Sequence, residues 1–205
     1  MMKRNLKLLL AAGGTLVAVL VASTFWNREP TSVAQQIGVL LPLTGDASSY
    51  GEKGRKAIEM AVSDFNAAES DKSKQIAAIF EDSRGNAKDG VSAAQKLIAV
   101  NKVPAIVGDA LSSVTLPAAA IAEANKVVLI SPVSSAPAIT QAGKYIYRIW
   151  PSDLAEGKAA AEFAVSRGFS KAALLHLNND YGNGIADIFA KQFVADGRKV
   201  VMRSG

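Results

Sequence analysis

The chain has 205 residues, 49% of them hydrophobic, 20% charged and only 6% aromatic. That is a globular composition, long enough for one large core or two small ones, and its reliance on Ala, Val, Ile and Leu suits an α/β protein. It contains no cysteine, which excludes disulfides, thiolate zinc sites, cysteine nucleophiles and a lipid-bearing cysteine, and its single histidine, His176, cannot build a multi-histidine metal site. The net charge of +5 does not read as a nucleic-acid footprint. Lys3, Arg4, Lys7 and Arg28 stand at the N-terminus with no acid before Glu29, and the rest of the chain interleaves both signs without a basic run.

The basic start MMKRNLK leads into an uncharged stretch, Leu8 to Trp26, just long enough to span a bilayer. Ser32 and Ala34 offer small residues at the −3 and −1 positions of a signal-peptidase cut before Gln35. Residues 1–34 therefore read as a signal peptide or an N-terminal membrane anchor. In either case the basic end stays inside and the remainder is exported, which places the protein in the periplasm or another extracytoplasmic space.

From there the chain alternates strand and helix. QIGVLL (Gln36 to Leu41) is a short apolar strand that ends in PLTGDASSYG, a loop composition. Ala57, Ile58, Ala61, Val62 and Phe65 recur at helical spacing. QIAAIF, PAIVG, VVLIS and YIYRI read as four more strands, with helices marked by Val91, Ala94, Leu97 and Ile98 and by Leu116, Ala120 and Ile121. WPSD interrupts the pattern, with Pro151 unfavourable to helix before it and Ser152 or Asp153 placed to cap the helix after it, which Gly168 stops. KAALLH, a polar loop LNNDYGNG, a helix face of Ile185, Ile188, Phe189 and Phe193, and the strand KVVM complete the chain. Such alternation predicts parallel sheets with right-handed crossovers and ligands beyond the C-terminal ends of the strands.

The loops at those ends lack the marks of catalysis. There is no G-x-S-x-G around the serines, no GxxxxGK[ST] and no GxGxxG, so no catalytic residue and no cofactor is expected. His176 reads as a strand-end structural residue, and Glu81-Asp82 as a solvated turn or a helix cap. Binding fits better. Ser112 and Ser113 stand between a strand end and a helix start, where free N–H groups and the positive helix end favour a carboxylate; a plain N-cap is the competing reading. Ser134 and Ser135 follow Pro132 in an extended turn that would leave the Val133 carbonyl free to accept from an ammonium, or would serve as a turn alone. Tyr50 and Tyr181 each sit in a glycine-rich strand-end loop, to cover a ligand or to pack. Together these residues describe a pocket for a small zwitterion.

The segments IGVLLPLTGDASSYGEKGRKAIEMAVSDFNA, IFEDSRGNAKDGVSAAQKLI, VPAIVGDALSSVTLPAA, VVLISPVSSAPAIT, YRIWPSD and LLHLNNDYGNGIA, in this order from Ile37 to Ala186, resemble the leucine/isoleucine/valine-binding proteins, the type I periplasmic solute-binding proteins of branched-chain amino-acid ABC importers. The resemblance implies a parallel-sheet Rossmann-like lobe (the type I periplasmic-binding-protein fold) over residues 35–150, and a crossover with the start of a second similar lobe over residues 151–205. It implies that Ser112 binds a ligand carboxylate through hydroxyl and amide, that Ser135 replaces a family threonine in the same task, that the Val133 carbonyl takes the ammonium, and that Tyr181 and Tyr50 face the head group. It also implies hinge closure on the ligand and docking on a membrane permease. Family members are longer and complete the second lobe, so a truncated chain is expected. The alternative implied by the same fold is a membrane-tethered receptor or an activator module of a cell-wall synthase, with no transport role.

Overall fold

The computed structural model describes residues 35–205. The two readings of residues 1–34, cleaved signal and anchor at 8–26, lie outside the described residues. Among the described residues no helix is long and apolar enough to cross a membrane.

Five strands form one parallel sheet: β1 (Gln35–Leu41), β2 (Ile76–Asp82), β3 (Ala105–Gly108), β4 (Val128–Ser131) and β5 (Ile146–Arg148), in the order β2-β1-β3-β4-β5. The register pairs Val39 with Phe80 on one side and with Val107 on the other, so β1 is central and Val39, Leu40 and Leu41 are buried. Helices α1 (Ser48–Ala68), α2 (Ala87–Gln95, continued by one π turn over Lys96–Val100) and α3 (Ser112–Ala124) make the crossovers. Right-handed connections put α1 on one face and α2 with α3 on the other. The core lies on the α2/α3 side: Ala93, Ala94 and Leu97 meet Ala118, Ala119 and Ala122 over Leu40, Ile106 and Leu129. Alanines at the helix contacts let two helices share the narrow strip above three short strands. On the other face α1 buries only Gly51, and β2 is half-exposed along its whole length.

The chain then passes through α4 (Asp153–Ser166), β6 (Lys171–Leu175), α5 (Asp180–Ala195) and β7 (Lys199–Ser204). Strands β6 and β7 pair in parallel as a separate two-stranded sheet, with an irregularity at Ala172/Ala173. Helices α4 and α5 pack through Gly157, where a Cβ would lie 2.9 Å from the Ile188 side chain, and Phe193 is fully buried against Phe189, with ring centroids 5.3 Å apart.

Two features read as loops are helix instead. Ser48, Ser49, Tyr50 and Gly51 form the first turn of α1, and Asp180 to Gly184 open α5. Glycine does not break these turns because it is wanted for close approach: a Cβ on Gly51 would come within 2.1 Å of the Pro42 carbonyl oxygen, and one on Gly182 within 2.1 Å of the Leu177 carbonyl oxygen. Each Tyr-Gly pair thus lays a helix start directly on the strand-end loop before it.

Candidate functional site

Strand order reverses between β1 and β3, since β2 lies on one side of β1 and β3, β4 and β5 lie on the other. The crevice beyond the C-terminal ends of β1 and β3 is therefore the place where a sheet of this kind receives a ligand. Three loops meet there: Pro42 to Ala47, Asp109 to Leu111, and Pro132 to Ala136.

Ser112 opens α3, but it is not its cap. Leu111 occupies that position, with no side-chain bond, and the helix's own bonds begin with the Val114 and Thr115 N–H groups on the Leu111 carbonyl. The N–H groups of Ser112 and Ser113 have no partner among the described residues and stand at the positive end of a helix of 13 residues. The buried Ser112 hydroxyl accepts from the Ser135 N–H at 3.2 Å and the Ala136 N–H at 3.1 Å. Its oxygen braces the facing loop while its proton stays available to an acceptor. Ser113 is half-exposed and makes no side-chain hydrogen bond among the described residues.

The Ser135 hydroxyl is committed elsewhere: it donates to Asp153 Oδ2 at 3.0 Å, and the Asp153 N–H donates back to the Ser135 carbonyl at 3.0 Å. This pair fastens the start of α4 to the loop after β4. Arg148 secures the same loop by donating to the Ser135 and Ala136 carbonyls at 3.2 and 2.8 Å and to Thr140 Oγ1 at 2.6 Å. Burial raises the Asp153 carboxyl above its usual range against the Ser135 bond, with Glu156 adding to the rise and Arg148 opposing it. The Val133 carbonyl has no partner among the described residues, and the Val133 side chain is partly exposed.

Tyr50 and Tyr181 project from the first turns of α1 and α5, and both are exposed. Burial raises the Tyr181 phenol, and the charges of Asp153, Glu156 and Tyr50 each add to that rise. The structure thus gathers Ser112, Ser113, Val133 and Ser135 on the rim of the larger sheet, with Tyr50 at the start of α1 beyond β1 and Tyr181 at the start of α5.

Residues not foreseen from the sequence tie this rim together. Asp109, fully buried, receives the Ser83 hydroxyl at 2.6 Å and the Leu111 N–H at 2.8 Å on its carboxylate. Its carbonyl accepts from the hydroxyls of Ser131 at 2.7 Å and of Ser134 and Thr115 at 3.1 Å each. Gly108 before it has φ +135°, and a Cβ there would strike the Leu40 carbonyl oxygen at 1.8 Å, so only glycine turns the chain here. Burial raises the Asp109 carboxyl to about 6, against the lowering bonds from Ser83, Leu111 and Ala110. Of the turn and cap readings of Asp82, the structure gives the turn: it accepts from the Arg84 N–H at 2.8 Å, and also clamps the loop after β1 through the Leu43 N–H at 2.8 Å and the Thr44 hydroxyl at 2.6 Å. Burial works against its charge, but the bonds from Thr44, Arg84 and Leu43 outweigh it and hold the carboxyl below its usual range. Glu81 pairs with Lys96 at 2.7 Å. His176 takes the Arg203 Nε–H on Nε2 at 2.9 Å, at the exposed end of the smaller sheet. No cluster of metal-ligating side chains occurs among the described residues.

Comparison with known proteins places the fold in a family. The family described as periplasmic binding protein matches residues 34–204. The leucine-, isoleucine-, valine-, threonine-, and alanine-binding protein of Pseudomonas aeruginosa is 31% identical over 192 residues, covering 93% of this chain and 51% of its own. The crystal structure of a leucine-binding protein, LivK, from Thermotoga maritima superposes with a TM-score of 0.73 at 30% identity, over 83% of this chain and 49% of that one. A solute-binding protein of an ABC transporter from Rhodopseudomonas palustris, solved with 3,4-dihydroxybenzoic acid, gives a TM-score of 0.73 at 26% identity, over 83% and 46% of the two chains. The chain spans about half the length of the curated relatives it matches. Its fold is the parallel-sheet type I periplasmic-binding-protein fold, and it belongs to the periplasmic binding protein family.

Proposed function

We propose that this chain is the head-group-binding part of an extracytoplasmic solute-binding protein of an ABC importer, and that its solute is an amino acid. The observation that carries this reading is the pair of free N–H groups at Ser112 and Ser113, set at the start of α3 and at the point where strand order reverses. In this reading residues 35–150 form the first lobe and residues 151–205 the crossover and start of the second. The ligand carboxylate sits on the Ser112 and Ser113 amides with the Ser112 hydroxyl donating to it, because aligned amide dipoles favour an anion there. The Val133 carbonyl accepts from the ammonium, and Tyr50 and Tyr181 close over the head group. Ser135 acts by holding Asp153 and the α4 start rather than by donating to the ligand. No bond is made or broken, and the loaded form docks on a membrane permease.

The breadth of the relatives supports a head-group rule more than a side-chain rule. One is named for five aliphatic and small amino acids, and another was solved with an aromatic acid. What those solutes share is a carboxylate. Calorimetric titration with leucine, isoleucine, valine, alanine and threonine is expected to show saturable binding, reduced at least tenfold by Ser112→Ala, since a hydrogen bond to a charged group is worth about 1.5–3 kcal/mol. Silence across the series overturns the amino-acid reading.

A further inference from the structure

Asp109 is a buried carboxylate with no cation paired to it among the described residues. Each element around it contributes hydrogen bonds and not positive charge. The β2 end supplies Ser83 and also Asp82, whose charge opposes ionisation. The α3 start supplies the Leu111 N–H and Thr115, and the segment after β4 supplies Ser131 and Ser134; neither carries a charged side chain at the contact. β1 pairs Leu40 with Gly108 and brings no charge, while Arg84 and Lys88 are exposed and do not bond Asp109. One residue therefore bonds the β2–α2 turn, the start of α3 and the loop after β4, which are the segments whose mutual placement defines the rim.

We propose that Asp109 is the positioning and selecting residue of the solute site: its two oxygens and its carbonyl fix Leu111–Ser113 against the Ser134–Ala136 loop, and its charge biases that rim toward zwitterions and against bare anions. This rests on the amino-acid reading above. Ser112 and Ser113 stand three and four residues along the chain from the buried Asp109, so a carboxylate placed on their amides is repelled by the Asp109 charge. A ligand that brings its own ammonium offsets the repulsion, and a bare aromatic acid does not. Protonation of Asp109, which burial brings to about 6, removes the bias.

The test pairs two variants and two solutes. In Asp109→Asn the amide keeps an acceptor for the Leu111 N–H and turns its NH2 to the Ser83 hydroxyl, so the rim holds and the charge is gone. Calorimetry at pH 7.5 is expected to show 3,4-dihydroxybenzoate gaining at least tenfold on leucine in Asp109→Asn relative to the wild type, with the wild type approaching the same ratio at pH 5 and the variant unchanged there. An equal ratio in both proteins at both pH values overturns the selecting role. Hydrogen exchange of the Leu111, Ser135 and Ala136 amides reads the positioning role without any solute. Asp109→Ala is expected to speed their exchange at least tenfold and Asp109→Asn to leave it near wild type. Equal protection in all three proteins, or equal loss in both variants, overturns it. A chain that binds neither solute yet shows this exchange pattern refutes the amino-acid reading and supports the positioning role.

Discussion

The two sheets of this chain use the same parallel pairing and the same strand–helix–strand connections, yet they bury very different amounts of their own surface. In the five-stranded sheet Leu40, Ile106 and Leu129 are fully buried beneath α2 and α3. In the two-stranded sheet Leu175 is 85% exposed, and Val201 and Met202 are more than half exposed, although α4 and α5 pack well on each other around Phe193. Local sequence separates the two only weakly: apart from Lys171, KAALL is as free of polar side chains as AIVG. The difference lies in neighbours. A strand with two partners and a helix layer is closed off, whereas among the described residues β6 and β7 have only each other as partners. Stability therefore resides in the larger sheet, and the smaller one is expected to open locally at much lower cost.

That contrast can be broken or sharpened by substitution. The largest effect is expected for Leu129→Ala, which opens a cavity under α3 and should cost about 2–5 kcal/mol in urea unfolding. A pH effect of similar size is confined to the larger sheet. The native state holds the Asp109 proton up to about 6, while the unfolded chain releases it near 3.8. Between these values the native state binds the extra proton, so stability falls as pH rises through the window and then levels, by on the order of 3 kcal/mol. Thermal melts from pH 3.5 to 7.5 should show this fall in the wild type, superimposed on the opposite trend of Asp82, and a smaller fall in Asp109→Asn. The helix caps give an intermediate test. Asn86 caps α2 by accepting from the Asp89 N–H, and Asn179 caps α5 by accepting from the Gly182 N–H. Alanine at either should cost about 1 kcal/mol. The loss at Asn86 should appear in the global unfolding midpoint, and the loss at Asn179 in faster amide exchange of β6 with the midpoint little changed. The smallest effect is expected for Leu175→Ser, within about 0.5 kcal/mol of wild type, because that side chain is already in water.

The alternation of elements was legible in the sequence because the strands are short apolar runs bounded by loop residues and most helices carry a 3.6-residue stripe, while α4 shows itself through its cap and its stop at Gly168. The serines could be placed near strand ends because Ser112 and Ser135 each come four residues after a short apolar strand. The helix starts at Tyr50 and Tyr181 were not, since glycine next to serine or asparagine has loop composition, and only the close approach to Pro42 and Leu177 explains it. The Asp109 hub was hidden for a different reason. Its partners Ser83 and Ser131 lie 26 and 22 residues away, and a bond between distant strand ends leaves no local periodicity. A signal did exist in VGDALSS, where an acid directly follows a buried strand with no cation nearby. Asp153 escaped similarly: as a helix-start residue it looked like a cap, and Ser152 does that work by accepting from the Leu154 N–H.

The central claim is that the start of α3, at the reversal of strand order, holds a ligand carboxylate. The most direct measurement is the shift of the Ser112 and Ser113 amide resonances as leucine, and separately leucinamide, is added to the ¹⁵N-labelled protein. The account predicts saturable shifts of both amides with leucine and none with leucinamide, which lacks the carboxylate. Leucine binding that leaves both amides unmoved, or equal shifts with the two compounds, would contradict it.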